Sequence, residues 1–466
     1  MYRVSAIVAL GILLGALVGG GTAYAQGYGV YEQGACMMGR SGAGVADPCA
    51  DGSGAFFNPA ALSMQATQIT LGGVLIGPRG TFTDSSGGSL NGTVSTLNNH
   101  WYPVPNIYFS KPFAKKFAVG LGVFAPYGLT TDWPESSQGR FLGYKSVVQG
   151  VYLQPTISVK LSENVSVGGG IDLSYLNVEL RQRLDLSTQA FGAGTFAALG
   201  VRAGTDFADV QLKGNAWHAG YHLGLLMKAS EKVSIGMRFL APQKVDVTNG
   251  TITTTQISAV KPDGTQYKLP VSIPGVAPAG TPLDALVKGQ FAAGGKLSNQ
   301  NATTTLPLPA QFVAGVAFKV TPTAKLFLDY QFTRWRAFDT LPVNGDYLKS
   351  GVLESYEDTH GVRIGTEILV GKKNVLRAGI DLHGGAAPDQ TVTPNLPEGS
   401  RREFSVGFGS QISKRARFDV GYLYLGQPDR AGRTTAGKGA VPTAADNNGT
   451  FSFKAHLLGV SLTVGF

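Results

Sequence analysis

The last eleven residues, "HLLGVSLTVGF", alternate without a break. Leu458, Val460, Leu462, Val464 and Phe466 fall on one face, and Gly459, Ser461, Thr463 and Gly465 on the other. A period of two places side chains on opposite faces of a strand, so this segment predicts a strand with one apolar and one small, polar side. The pattern recurs in "ARFDVGYLYLG", "HGVRIGTEILV", "WHAGYHLGLLM" and "FAVGLGV". The polar face is repeatedly glycine, as the inside of a closed barrel that must leave room would require. When such a sheet closes on itself in a membrane, its apolar face meets lipid.

The connections alternate in length. Short ones are "KPFAKK", "LSEN", "ASEK", "TPTA", "GKKN" and "SKRA". Long ones lie near Thr83–Asn99, Pro126–Ser146, Arg181–Val210, Asn249–Pro309, Arg336–Glu357, Gly384–Ser400 and Pro428–Gly449. Short turns at one end and long loops at the other belong to outer-membrane barrels, and the strands between them number about 14. A soluble sandwich or propeller would use strands of about 5–6 residues. These segments run longer, and Trp217, Tyr221, Tyr422 and Tyr424 suit a membrane interface. Charged residues are only 15% of the chain, against about 25% in soluble domains. The net charge of +9 is scattered rather than clustered, which disfavours nucleic acid and favours solvated turns or anionic lipid. The expected fold is therefore an all-β, 14-stranded antiparallel transmembrane β-barrel.

Three regions are expected. Residues 1–25 read as a signal peptide, with Arg3, an apolar stretch and Ala23-Tyr24-Ala25 before the cleavage point. Residues 26–66 precede the first credible strand, and residues 67–466 form the barrel. The early segment "GSGAFFNPAALSM" is apolar, yet too broken for a helix or ladder. Irregular backbone at membrane depth is tolerated where protein surrounds it, so 26–66 is expected to be a plug, or hatch, inside the lumen. Phe56, Phe57, Asn58 and Pro59 are its candidate gate, with Asn58 closing a local turn. A periplasmic extension is the alternative. Cys36 and Cys49 could pair in an oxidising compartment or remain separate thiols. No metal site is expected, because neighbouring histidines are lacking.

No motif for catalysis or a cofactor stands out, and an outer-membrane lipase would need a Ser/His pairing that the sequence does not flag. A transporter needs an apolar path and one or two cations for a carboxylate. Parity turns Asp172, Arg238, Asp329, Arg363, Glu367, Arg377 and Asp381 into the lumen. Arg363, Arg377 and Arg238 are the candidate ligand-binding cations, although most such groups would neutralise one another. Phe191 and Phe196 lie in "QAFGAGTFAALGV", an apolar external stretch expected to help build a landing groove. In "FAVGLGVFAPYGL", Gly120 and Gly122 permit a bend and Pro126 removes a ladder donor, which marks this strand for a lateral exit.

The order of several segments resembles the FadL-type long-chain fatty acid transporters of the Gram-negative outer membrane. They are Asn58-Pro59-Ala60, "APYGLTTDW", "NAWHAGYHLGLLMKASEKVSIGMRF", "LPAQFVAGVAFKVTPTAKLFLDYQFTRWRAF" and "LPEGSRREFSVGFG". The resemblance spans essentially the whole mature chain. It implies a hatch in a 14-stranded barrel and passive uptake of hydrophobic molecules, long-chain fatty acids foremost. The alternatives are an aromatic-hydrocarbon channel of the same fold and a diffusion porin for polar solutes. The expected partners are outer-membrane lipid and lipopolysaccharide, the hydrophobic ligand, and the barrel assembly machinery through Phe466. The chain is expected to be monomeric.

Overall fold

The computed structural model describes residues 27–85, 92–113, 115–432 and 448–466. The expected signal peptide therefore lies outside the described residues. Fourteen antiparallel strands close into one barrel, all neighbours in sequence except at the seam. They are β1 (Gln68–Asp84), β2 (Tyr102–Pro112), β3 (Phe117–Asp132), β4 (Lys145–Lys160), β5 (Val165–Asp185) and β6 (Asp206–Lys228). β7 comes in two segments, Val233–Leu240 and Gln243–Gln256, as does β8, Gln300–Leu308 and Gln311–Thr321. β9 (Ala324–Thr333), β10 (Thr359–Val370), β11 (Asn374–His383), β12 (Arg401–Gln411), β13 (Ala416–Gly426) and β14 (Gly449–Gly465) complete the wall. The seam pairs β1 with β14 along its full length, from Gln68 opposite Gly465 to Asp84 opposite Gly449.

The alternation read from the sequence is the inside–outside pattern of this wall. Leu458, Val460 and Leu462 are exposed on the outer face, as are Trp217 and Tyr221. The parity residues Asp172, Arg238, Asp329, Arg363, Arg377 and Asp381 are buried on the inner face. The strands extend further into the long connections than the turn residues suggested. β3 runs on to Asp132, and the expected loop Asn249–Pro309 begins and ends in strand, within Gln243–Gln256 and at Gln300–Leu308. Polar side chains there hid strands that rise beyond the apolar band.

The N-terminal segment passes through this wall's interior. It makes two short helical turns, Ala35–Met38 and Gly54–Phe57, and a 3-10 stretch, Pro59–Met64. The inward glycines are where it presses closest. A Cβ at Gly236 (β7) would lie 2.2 Å from the Val45 carbonyl, at Gly379 (β11) 2.3 Å from the Arg40 carbonyl carbon, and at Gly168 (β5) 2.4 Å from that of Pro59. At Gly459 (β14) it would lie 2.6 Å from the Met38 methyl. A segment touching the inner face of strands all round a closed wall is enclosed by it. At these positions the missing Cβ leaves room for the N-terminal segment.

Cys36 and Cys49 are joined in a disulfide, with Cα atoms 6.4 Å apart. Both cysteines are buried. Asn58 fastens the segment to the wall. Its Nδ2 donates to the carbonyls of Val45 (2.7 Å) and Leu225 on β6 (2.9 Å), and its Oδ1 accepts from Ala60 N (3.1 Å). Gly224 stands opposite, where a Cβ would meet Asn58 Oδ1 at 2.4 Å.

Candidate functional site: loop cleft, aromatic lumen and an open strand edge

The long connections carry their own apolar core. Leu186, Phe196, Val201, Phe207, Tyr267, Leu269, Leu283 and Leu297 pack together at the loop end of the barrel. Phe196 is buried inside this core, with Phe191 against it at 4.9 Å between ring centroids. Both phenylalanines thus belong to the apolar core of the loops, since a long apolar loop in water packs against itself. Beside that core lies a cleft of about 380 Å³. Phe141, Ile257, Val260 and Tyr267 supply apolar lining, and Arg140, Arg202 and Lys261 bring three cations. Asp206 is the carboxylate in the lining, paired with Arg140 at 2.8 Å. These cleft residues were not singled out from sequence. They come from three separate connections, and no local pattern joins them.

Below the loops, aromatic side chains converge in the upper lumen. Tyr28 packs edge-on against Trp335 (4.6 Å between centroids) and Phe338 (5.7 Å). Phe56 packs against Phe57 (4.9 Å), Phe124 (5.0 Å) and Tyr31 (5.4 Å). Edge-to-face contacts of this kind add about 0.5–1.5 kcal/mol each beyond area burial.

Three arginines were candidate ligand cations, and their surroundings differ. Arg377 is held by two carboxylates, Glu367 and Asp419, each at 2.8 Å. The ligand role expected of it meets an already neutralised group. Arg363 pairs with Asp381 at 3.2 Å, donates to Gln331 at 2.6 Å and lies 3.8 Å over the Tyr31 ring, while its Nη2 has no hydrogen-bond partner among the described residues. Arg238 has no carboxylate partner among the described residues. Its Nη1 donates to the Phe56 carbonyl at 3.2 Å and its Nη2 to Gln311, and its Nε is unpaired. The guanidinium lies 4.3 Å over the Phe56 ring. Phe56 and Arg238 therefore form one unit, with plug backbone on a cation that has no carboxylate partner among the described residues.

The wall itself is interrupted beside this chamber. β2 and β3 pair from Pro112 opposite Ala118 up to Ile107 opposite Val123, and no further. Tyr102–Asn106 of β2 face no partner on β3. On the β4 side, the register of β3 shifts by one residue between Phe124 and Tyr127. The expected bend at Gly120 and Gly122 is displaced, since both glycines pair on both sides. They are tight spots instead. A Cβ at Gly120 would lie 2.5 Å from Leu62, and at Gly122 2.8 Å from the Phe124 ring. The departure falls at Ala125-Pro126, where proline has no N–H to lose from the ladder.

The plug takes up the edge that β2 leaves. Val30 N donates to Pro126 O and Gly128 N to Tyr28 O, both at 2.9 Å, with Gly29 bridging to Tyr127. The start of this segment is held by the loop end. Glu398 accepts from Gly27 N at 2.7 Å, and Arg401 donates to the carbonyls of Gly27 (2.8 Å) and Gly29 (3.3 Å).

Cleft, aromatic lumen and interrupted wall define an outer-membrane barrel of the kind that carries hydrophobic compounds. The model of the family described as outer membrane protein transport protein (OMPP1/FadL/TodX) matches residues 16–466, and the chain belongs to this family. It is 24% identical over 462 residues to the long-chain fatty acid transport protein of Escherichia coli O6:H1, covering 95% of each chain. Its fold is that of a Pseudomonas aeruginosa FadL homologue (TM-score 0.75, 19% identity, 95% of this chain and 100% of that one). The Pseudomonas putida toluene transporter TodX also shares it (TM-score 0.65, 16% identity, 94% and 99%). The protein is thus a β-barrel of the Gram-negative outer membrane.

Proposed function

We propose that the protein takes up long-chain fatty acids passively, from the loop cleft through the aromatic lumen and out sideways between β2 and β3. The observation that carries the substrate class is Arg238, a buried cation over Phe56 with a plug carbonyl, not a carboxylate, as its acceptor. A fatty acid brings both a chain for the aromatic chamber and a carboxylate for Arg238. A carboxylate adds opposite charge and a second acceptor oxygen for a two-pronged bond, neither of which the single Phe56 carbonyl offers. It therefore competes with Phe56 for the guanidinium, and in winning it loosens Phe56, Phe57, Asn58 and Pro59.

The cationic, partly apolar cleft above is the landing site, where Arg202 and Lys261 attract the headgroup and Arg140 is already paired with Asp206. The exit is lateral because a greasy molecule gains nothing by entering periplasmic water. An aromatic hydrocarbon could use the same chamber, and its flat rings match the edge-to-face lining, but it would bring Arg238 no counter-charge. A porin reading fits less well, because the lumen holds packed rings where a porin needs a wet constriction.

The test is a staple across the gap. Asn106→Cys with Phe124→Cys places thiols at the first position beyond the last β2–β3 pair. The oxidised protein should still bind labelled long-chain fatty acid but fail to deliver it, with delivery restored on reduction. Full uptake by the stapled barrel overturns the lateral route. Equal affinity for a fatty acid and its uncharged methyl ester overturns the role of Arg238.

A further inference from the structure

The outer face of the barrel carries a second pattern that the transport path does not use. Strand register places four residues in one row across the seam. Arg402 (β12) is opposite Gly426 (β13), Gly426 is opposite Lys454 (β14), and Lys454 is opposite Arg79 (β1). All four share the parity of the lipid-facing residues on their strands, such as Phe404, Tyr422, Leu458 and Leu75. Neighbouring strands are about 4.8 Å apart, so three cations stand within a span on the order of 15 Å. None of the three makes an ion pair among the described residues.

The row is shaped as well as charged. Gly426 leaves a notch between Arg402 and Lys454. The Tyr424 hydroxyl reaches up into it, 3.4 Å from where a Gly426 Cβ would stand. The Arg79 guanidinium lies 5.4 Å over the Trp101 ring. Ser452, opposite Thr81, adds hydroxyls one row above. One row below come Phe404, Tyr424 and His456, with Trp101 laid over Gly77, where a Cβ would lie 2.8 Å from the indole. Below these come aliphatic and aromatic side chains, Val406, Tyr422, Leu458 and Leu75. From the loops downward the order is hydroxyls, cations, aromatic rings, apolar surface.

We infer that this face is a binding site for a phosphorylated lipid of the outer leaflet. The occupant follows from the vertical order. A lipid's phosphate meets cations and hydroxyls at one height while its acyl chains run down the apolar rows beneath. The row sits toward the long-loop end, which in such barrels faces outward, so the leaflet is the outer one. The site spans β12, β13, β14 and β1, and therefore straddles the seam where the two ends of the sheet meet. A lipid bound there clasps both sides of the closure.

The experiment extracts the full barrel in mild detergent and measures binding of lipid A and of its dephosphorylated form. The triple variant Arg79→Gln, Arg402→Gln, Lys454→Gln should bind lipid A on the order of a hundredfold more weakly, at about fivefold per cation. A control that removes two outward cations elsewhere, Lys213→Gln with Lys244→Gln, should bind as the parent does. Gly426→Leu fills the notch without changing charge and should also weaken binding. Each variant is first shown to be folded by its unheated mobility in a denaturing gel. The site is overturned if the triple variant binds lipid A as the parent does. It is equally overturned if the control loses as much, or if the parent holds dephosphorylated lipid equally well.

Discussion

The side-chain amide of Gln33 docks on the backbone of Ala125 through both of its ends. Nε2 donates to the Ala125 carbonyl at 2.8 Å and Oε1 accepts from the Ala125 N–H at 3.3 Å. The contact lies beside the bulge where β3 has parted from β2, so a plug side chain does there what a strand backbone would do. Tyr108 of β2 donates to the Gln33 carbonyl at 3.2 Å, and Gln33 thereby links both sides of the gap.

Gln33→Ala should free this edge. The two Ala125 groups lose their partners, and because Ala125 is only half-buried the cost falls toward the lower end of the about 1–3 kcal/mol of a fully buried unsatisfied group. Hydrogen exchange at Ala125 and Gly128 should quicken while the β3–β4 ladder near Gly120 stays protected. Unchanged exchange at Ala125 would show that Gln33 is incidental to the closure.

Arg238→Gln should separate carboxylate recognition from hydrocarbon binding. A hydrogen bond to a charged group contributes about 1.5–3 kcal/mol, so fatty acid affinity should fall about 10- to 100-fold. Binding of an uncharged analogue should hold, and calorimetry on both ligands checks the split. Arg377→Gln is the contrast. It removes a cation from Glu367 and Asp419, so it should lower barrel stability rather than ligand affinity.

Asn58→Ala with Pro59→Ala should loosen the plug without preventing barrel assembly. Asn58 alone contributes three hydrogen bonds, two of them from plug to plug and one to the wall at Leu225. Conductance of reconstituted barrels should rise, as should sensitivity of cells to bulky antibiotics. If neither changes, the Asn58 contacts serve folding alone.

The disulfide is expected to stabilise the plug chiefly through the unfolded chain. Cys36 and Cys49 are 13 residues apart. Closing a loop of that length contributes about 3 kcal/mol in the chain-entropy account. Cys36→Ser with Cys49→Ser should make the N-terminal segment the first part lost to protease in rising denaturant. An unshifted proteolysis midpoint would mean that the lumen wall alone orders the loop.

Much of this architecture was legible because a membrane barrel writes its geometry into a two-residue period. Leu458, Val460 and Leu462 could be assigned to the outer face from the sequence, as could Asp172 and Arg238 to the lumen. The glycines of that inner face were visible too, but not what they faced. Gly236 and Gly379 touch plug backbone that lies some 190 and 340 residues away in the chain. The strand that parts from its neighbour was identifiable, but the place was not. Glycine was read as the point of weakness, whereas Gly120 and Gly122 are small because Leu62 and Phe124 crowd them. The difference between Arg238 and Arg377 was also out of reach. Parity places a cation in the lumen and says nothing about which acids stand within 3 Å of it.

The full-length pairing of β1 with β14 sets an order of events in biogenesis. The wall cannot shut until Gly465 is available to pair with Gln68, whereas the segment it encloses lies wholly before Gln68. Before closure nothing encloses Cys36 and Cys49. Once Gln68 faces Gly465 they are walled in. A cross-link between two side chains so enclosed is shut away from any reductant dissolved in the water outside the wall.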